Sequence, residues 1–261
     1  MSTSLLTGLS KSQKSLKKPS VYGNVLDRYL FNFGVNLDKL ENHMPSLKWL
    51  EPRNVNGYGV VSFCLVHFNG LTVWPLPMSL GINTVTCAYR YSVVDISNAE
   101  QHVPSVFLLG RNTDSSFVNY FGPQILSSKV GKITSSLQKT KKGDLEINIG
   151  FPNGSLMFSA TVLQEKYAKK TASRLFESEE AFEAFMENGK SSYTPATENG
   201  QYSRLDLETK PYRYEQVNAR VHVNSLENKW NDMSFEFDSA YQALGKKQYK
   251  INNMGVYNGS L

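Results

Sequence analysis

The feature that most constrains this chain is its punctuation. Runs of β-branched and aromatic residues recur along it, and breaks of Pro, Gly, Asn and Asp separate them. Residues 58–68 form an apolar run, and residues 82–94 place Asn83, Val85, Cys87, Tyr89 and Tyr91 on one face of a strand. Trp74-Pro75-Leu76-Pro77 lies between them and cannot continue a sheet interior, because each proline removes a ladder donor. Shorter strands are predicted at 29–33, 105–109, 125–137, 144–150, 156–164, 204–208, 213–223 and 233–237. Pro152-Asn153-Gly154 turns the chain between two of them. Residues 95–104 are polar and read as a loop.

Helical signals are few. The clearest covers residues 178–188, where Ser178 caps, Glu179 and Glu180 sit in the first turn, and Phe182, Phe185 and Met186 share a face ahead of Gly189. Asn36 caps a short helix that Pro45 ends. A third helix is expected over 114–120, capped by Thr113 or Asp114 and stopped by Gly122-Pro123. Many strands with a few short helices predict a mostly β, α+β fold built on a barrel or a strongly coiled sheet.

Composition bounds the rest. Of 261 residues, 40% are hydrophobic, enough for a sizeable core, and no apolar run approaches the roughly 20 residues needed to span a bilayer. The formal charge is +5. Its excess lies in Lys11, Lys14, Lys17 and Lys18 of a Ser-rich tail and in Lys139, Lys141 and Lys142 of a turn, without the aromatic interleaving of a nucleic-acid face. Neither a nucleic-acid partner nor a membrane is expected. Residues 1–22 read as a mobile basic tail without a targeting signal, and residues 23–261 as a single domain. Two cysteines, Cys64 and Cys87, have no ligand spacing. Four scattered histidines (His43, His67, His102 and His222) show no metal pairing, so no metal and no cofactor is expected. Free cysteines in strand-like runs fit a reducing, cytoplasmic compartment. No Gly-x-Ser-x-Gly elbow, phosphate loop or GxGxxG is present.

Two stretches carry a family likeness. The first is Asp27-Arg28-Tyr29-Leu30-Phe31-Asn32-Phe33, followed by the short helix and Pro45. The second is Val106-Phe107-Leu108-Leu109-Gly110-Arg111, a short helix, and Phe121-Gly122-Pro123-Gln124-Ile125-Leu126-Ser127-Ser128-Lys129-Val130-Gly131. A helix at 180–187, Tyr193 and a polar hairpin at 202–208 complete the order. Together, over residues 28–222, they resemble the acetoacetate decarboxylase-like superfamily, with the YqjF-like branch most similar. The resemblance implies a cone-shaped antiparallel β-barrel around a small-molecule cavity, often in a homo-oligomer.

In those decarboxylases a lysine forms a Schiff base with a β-keto acid, assisted by a glutamate and an arginine. The resemblance carries over only in part. Anchoring on Pro123 puts Gln124 and Ile125 at the lysine pair, and anchoring on Lys129-Val130-Gly131 puts Ser128 at the nucleophile and Lys129 beside it. Lys129 and Lys132 are the nearby lysines. The glutamate position falls at Gly81-Ile82-Asn83, and no acid occurs between Glu51 and Asp95. Arg28 and Arg111 match family arginines, and a buried arginine can clamp a carboxylate. The candidate catalytic residues are therefore Arg28 and Lys129. Arg111, Asn83, Tyr89 and Gln124 are candidate polar contacts to a small-molecule substrate, and Trp74 and the Tyr120-Phe121 pair candidate aromatic walls. Three readings follow: an enzyme working on a carbonyl or carboxylate without Schiff-base chemistry, such as a tailoring or cyclase-type step; a non-catalytic binding barrel; and a decarboxylase with displaced Lys129.

Overall fold

The computed structural model describes residues 18–164 and 172–259. The tail expected over residues 1–22 lies outside them up to residue 17, and its boundary is corrected: Val21 and Tyr22 already belong to a strand.

The chain forms β1 (Val21–Val35), α1 (Leu37–His43), β2 (Leu50–Pro52), β3 (Gly59–Val73), β4 (Ile82–Asn98), β5 (Gln101–Leu108), β6 (Arg111–Thr113), α2 (Ser116–Leu126), β7 (Val130–Lys132), β8 (Thr134–Lys139), β9 (Leu145–Gly150) and β10 (Leu156–Val162). It continues with α3 (Glu179–Glu187), β11 (Ser191–Pro195), β12 (Gln201–Glu208), β13 (Arg213–Val217), β14 (Ala219–Asn224), α4 (Ser225–Lys229), β15 (Glu236–Leu244) and β16 (Lys247–Asn258). A mostly β fold is what the alternating runs predict. Among the described residues no helix is long and apolar enough to cross a membrane.

Pairing closes the large sheet on itself. β1 pairs with β3, β3 with β4, β4 with β5, β5 in parallel with β11, β11 with β12, and β12 with β16; β16 then returns to the first half of β1. This circuit is a barrel wall, and closure removes the exposed edges an open sheet would leave. β15 takes the second half of β1 and carries β13. A second antiparallel sheet, in the order β14-β10-β9-β8, covers the outside. There Phe158 of β10 stacks on Phe63 of β3, with ring centroids 4.0 Å apart, and lies 4.9 Å from Phe31 of β1.

On the inner face, α3 closes one end. Phe182 stacks on Tyr241 at 3.8 Å, and Phe176, Phe185 and Met186 complete an apolar plug with Leu30, Val60 and Cys64. The helix starts as the sequence predicts, with Ser178 Oγ accepting from the Ala181 amide at 3.2 Å. Ser178→Ala should cost about 1 kcal/mol through the lost cap, measurable as a lower urea midpoint with an unchanged m-value.

Four local expectations are corrected. Residues 95–104 form a tight hairpin, with Asn98 opposite Gln101. The strand expected over 213–223 is two strands, β13 and β14, in different sheets. The run expected as strand over 125–137 begins inside α2 and then forms β7 and β8. α2 itself is capped by Ser115, runs through Pro123, and ends at Ser127 in a left-handed conformation. It survives the proline because side chains from outside satisfy its last carbonyls. Lys18 donates to the Gln124 carbonyl, Asn253 to that of Ile125 and Ser203 to that of Leu126.

Candidate functional site: an arginine-lined cavity

Alternation makes the inner face. On β3 the even residues Cys64, Val66 and Phe68 face inward, while the odd residues Val61, Phe63 and Leu65 pack on the second sheet. On β4 the inward set includes Thr86, Ala88 and Arg90. β1 changes parity on the way. Val25 lies opposite Phe68 and Asp27 opposite His67, so Leu26 is an extra residue, a β-bulge. Val21 and Val25 are inward before it, and Arg28 and Leu30 after it. The bulge is what aims Arg28 inside.

The cavity so formed measures about 840 Å³. Its mouth lies between α2 and the segment between β3 and β4, where Leu76, Leu80, Phe117 and Phe121 line it. Its walls are apolar: Val66, Phe68, Leu71, Val106, Leu108 and Leu205.

Three guanidiniums enter this space. Arg28, 6% exposed, donates through Nη1 to the phenol oxygens of Tyr214, at 2.9 Å, and Tyr249. Arg90, 5% exposed, points Nη2 at Met186 Sδ, 2.9 Å away. Arg111 donates to Ser192 Oγ at 3.1 Å. The buried Nε atoms of Arg28 and Arg111 have no hydrogen-bond partner. No lining residue is an aspartate or glutamate. Burial pulls the Arg111 pKa down to about 10 and lowers that of Arg90. For Arg28, burial works against the charge, but Tyr214, Tyr249 and Cys64 offset it and the net direction is upward. All three remain cations at neutral pH. Burial pushes the Tyr249 phenol well above its ordinary value despite Arg28, so it stays protonated and able to donate.

The structure places Arg28, Arg111 and Phe121 in the cavity lining and leaves the other candidates outside it. Lys129 is exposed, its ammonium 3.5 Å from Asn199 Oδ1. This corrects its placement: Lys129 lies just before β7 and faces solvent. Asn83 is exposed and accepts from the Gly70 amide. Tyr89 lies on the other side of the wall and donates to the Met157 carbonyl at 3.0 Å. Gln124 sits on the outer face of α2, and Tyr120 and Trp74 are exposed, 69% and 68%, beside the mouth without lining it. Ser128 is buried, its hydroxyl unpartnered, and also outside the lining. Lys132 donates to the Asp114 carbonyl. The missing acid has a steric reason: a Cβ on Gly81 would lie 2.3 Å from the Gly70 carbonyl group, so no glutamate fits there.

The sequence reading missed Arg90, Tyr249, Cys64 and Lys190. Arg90 had a signal. It lies on the face of residues 82–94 opposite Val85, Cys87, Tyr89 and Tyr91, and a charged residue in a run that apolar needs strand burial to explain points to an enclosed polar use.

No protein-family model matches the chain, and no curated protein matches it. Solved structures align over nearly all of it. Acetoacetate decarboxylase from Legionella pneumophila subsp. pneumophila str. Philadelphia 1 aligns with a TM-score of 0.58 and 12% identity, over 98% of this chain and 99% of that one. An acetoacetate decarboxylase-like enzyme from Sphingomonas wittichii RW1 gives 0.59 and 9%, over 94% of each. The enduracididine biosynthesis enzyme MppR, in a complex with pyruvate, gives 0.57 and 9%, over 95% and 93%. Such identities speak to architecture alone, and with the closed wall and its enclosed cavity they establish that this chain has the acetoacetate decarboxylase-like fold.

Proposed function

We propose that the chain is a small-molecule enzyme that binds an anionic carbonyl compound or carboxylate in the barrel cavity and acts on it without a lysine adduct. One observation carries this reading: Arg28, Arg90 and Arg111 all line an apolar cavity whose lining holds no carboxylate. Buried cations are costly unless something pairs with them, and an anionic ligand supplies the pair. The fold neighbours point the same way, because one of them is a biosynthesis enzyme complexed with pyruvate, an anion with a carbonyl.

The arrangement suits chemistry driven by orientation and polarisation. A guanidinium fixes a carboxylate with two parallel hydrogen bonds. A second one, with the protonated Tyr249, stabilises the negative charge that develops on a carbonyl oxygen during enolisation. In a water-poor cavity that stabilisation exceeds what the same groups provide in water. Aldol, dehydration and cyclisation steps are of this kind.

A lysine reading has one observation in its favour. Lys190 lines the cavity, opposite Leu207 on β12. Borohydride reduction in the presence of pyruvate, followed by peptide mapping, decides between the two. The expected result is no mass increase on any lysine. An adduct on Lys190 would overturn the lysine-free reading.

A further inference from the structure

The two ends of the cavity differ in chemistry. Each of the three guanidiniums is tied to α3 or to a residue near it. Arg28 is held by Tyr214, which packs on Phe182 of α3 with ring centroids 5.1 Å apart. Arg90 contacts Met186 of the same helix, and Arg111 bonds Ser192, just beyond its C-terminus. The opposite end has no charge in its lining. There Leu80 (71% exposed), Phe117 (58%) and Phe121 (43%) surround the opening, with the Phe117 and Phe121 rings 4.5 Å apart. Ile82, near the mouth, opens β4, and Arg90 follows eight residues later. For Arg90 that is about 26 Å of strand at ~3.3 Å per residue, or roughly 20 Å along the axis at a ~40° tilt, while Arg28, in register with Val66 and Thr86, stands four residues along from Ile82.

A small keto acid does not use this space. The 840 Å³ is the room of about 28 waters at ~30 Å³ each. Waters beside the guanidiniums find partners, but waters against Val66, Phe68, Leu71 and Leu108 do not. Apolar walls of this kind favour an apolar occupant, and the aromatic side chains exposed at the rim extend them outward.

We infer that the ligand is an amphipathic anion, with a carboxylate head at the Arg28–Arg90–Arg111 end and a long apolar body running out to Phe117 and Phe121 on α2. This rests on the reading of the cavity as an anion site and names the class of molecule that site takes. The apolar body supplies most of the binding energy, and the guanidiniums set its direction.

Titration calorimetry of the full chain with acetate, hexanoate, dodecanoate below its micellar concentration, and dodecanol tests it. Affinity should rise about three- to fourfold per added methylene, which makes dodecanoate at least a hundredfold tighter than hexanoate. Dodecanol should bind at least tenfold more weakly than dodecanoate. Phe121→Ser changes a half-exposed residue and leaves the core intact. It should weaken dodecanoate several-fold more than hexanoate.

Equal affinity for acetate, hexanoate and dodecanoate overturns the amphipathic ligand and leaves the anion site standing. Failure of every carboxylate to bind overturns both. Dodecanol binding as tightly as dodecanoate removes the guanidiniums from recognition. Dodecanoate binding unchanged in Phe121→Ser overturns the path along α2.

Discussion

Arg28→Met should weaken carboxylate binding in the cavity by roughly 30- to 150-fold, the equivalent of the ~2–3 kcal/mol carried by a pair of charge-assisted hydrogen bonds. The side chain is 6% exposed and held on one side by Tyr214 and Tyr249, while its Nε has no protein partner. Methionine keeps much of the volume and removes the charge. The effect on stability should be much smaller than the effect on binding. Losing the guanidinium leaves two buried phenols without their donor, which costs stability. It also removes a buried cation that no described carboxylate pairs with, which restores some. Calorimetry with a keto acid and with its neutral ester, set beside the urea midpoint, separates the two roles. A recognition residue loses the acid and keeps the ester, and a residue that only holds the wall together loses both along with its midpoint. Tyr249→Phe should behave as a milder version, because Arg28 keeps Tyr214.

The second large effect lies outside the cavity. Phe158→Ala should lower stability by about 3–5 kcal/mol. Phe158 is fully buried between the barrel wall and the outer sheet, stacked on Phe63 and tilted against Phe31. Truncation opens a void at the contact between sheets that no neighbouring loop can fill, since Phe31 and Phe63 sit on strands paired along both edges. Urea unfolding followed by tryptophan fluorescence reads the change. A shift below about 1 kcal/mol would mean the outer sheet adds little to the barrel.

How much of this could be read from the chain depended on what held each element. α1 and α3 carry their own caps, Asn36 and Ser178, and stand where the sequence puts them. β3 and β4 announce themselves by apolar alternation. β16 does not. Lys247–Asn258 contains three asparagines, a glycine and two lysines, and it is a strand because β1 and β12 pair with it on both sides. α2 shows the converse: local signals stop it at Gly122-Pro123, and distant side chains carry it to Leu126. Of the cavity lining, Arg28, Arg111 and Phe121 were legible in the sequence, the two arginines through the resemblance. Tyr89 and Asn83 lie on the β4 face that turns away from the cavity. One-dimensional alternation separates two faces of a strand without saying which of them encloses a ligand when both are buried.

The bulge at Leu26 gives the chain an unusual kind of control. Which way Arg28 points depends on whether the strand keeps its bulge. Paired without the bulge, the same residues would carry the alternation straight through from Val25 and turn Arg28 to the outside of the wall, whereas deleting Leu26 removes the bulge and keeps Arg28 opposite Val66, facing in. Among divergent chains of this architecture, an arginine aligned to this column can therefore be a ligand-binding group in one and a surface charge in another. The presence or absence of the bulge would separate them, and substitution patterns would not.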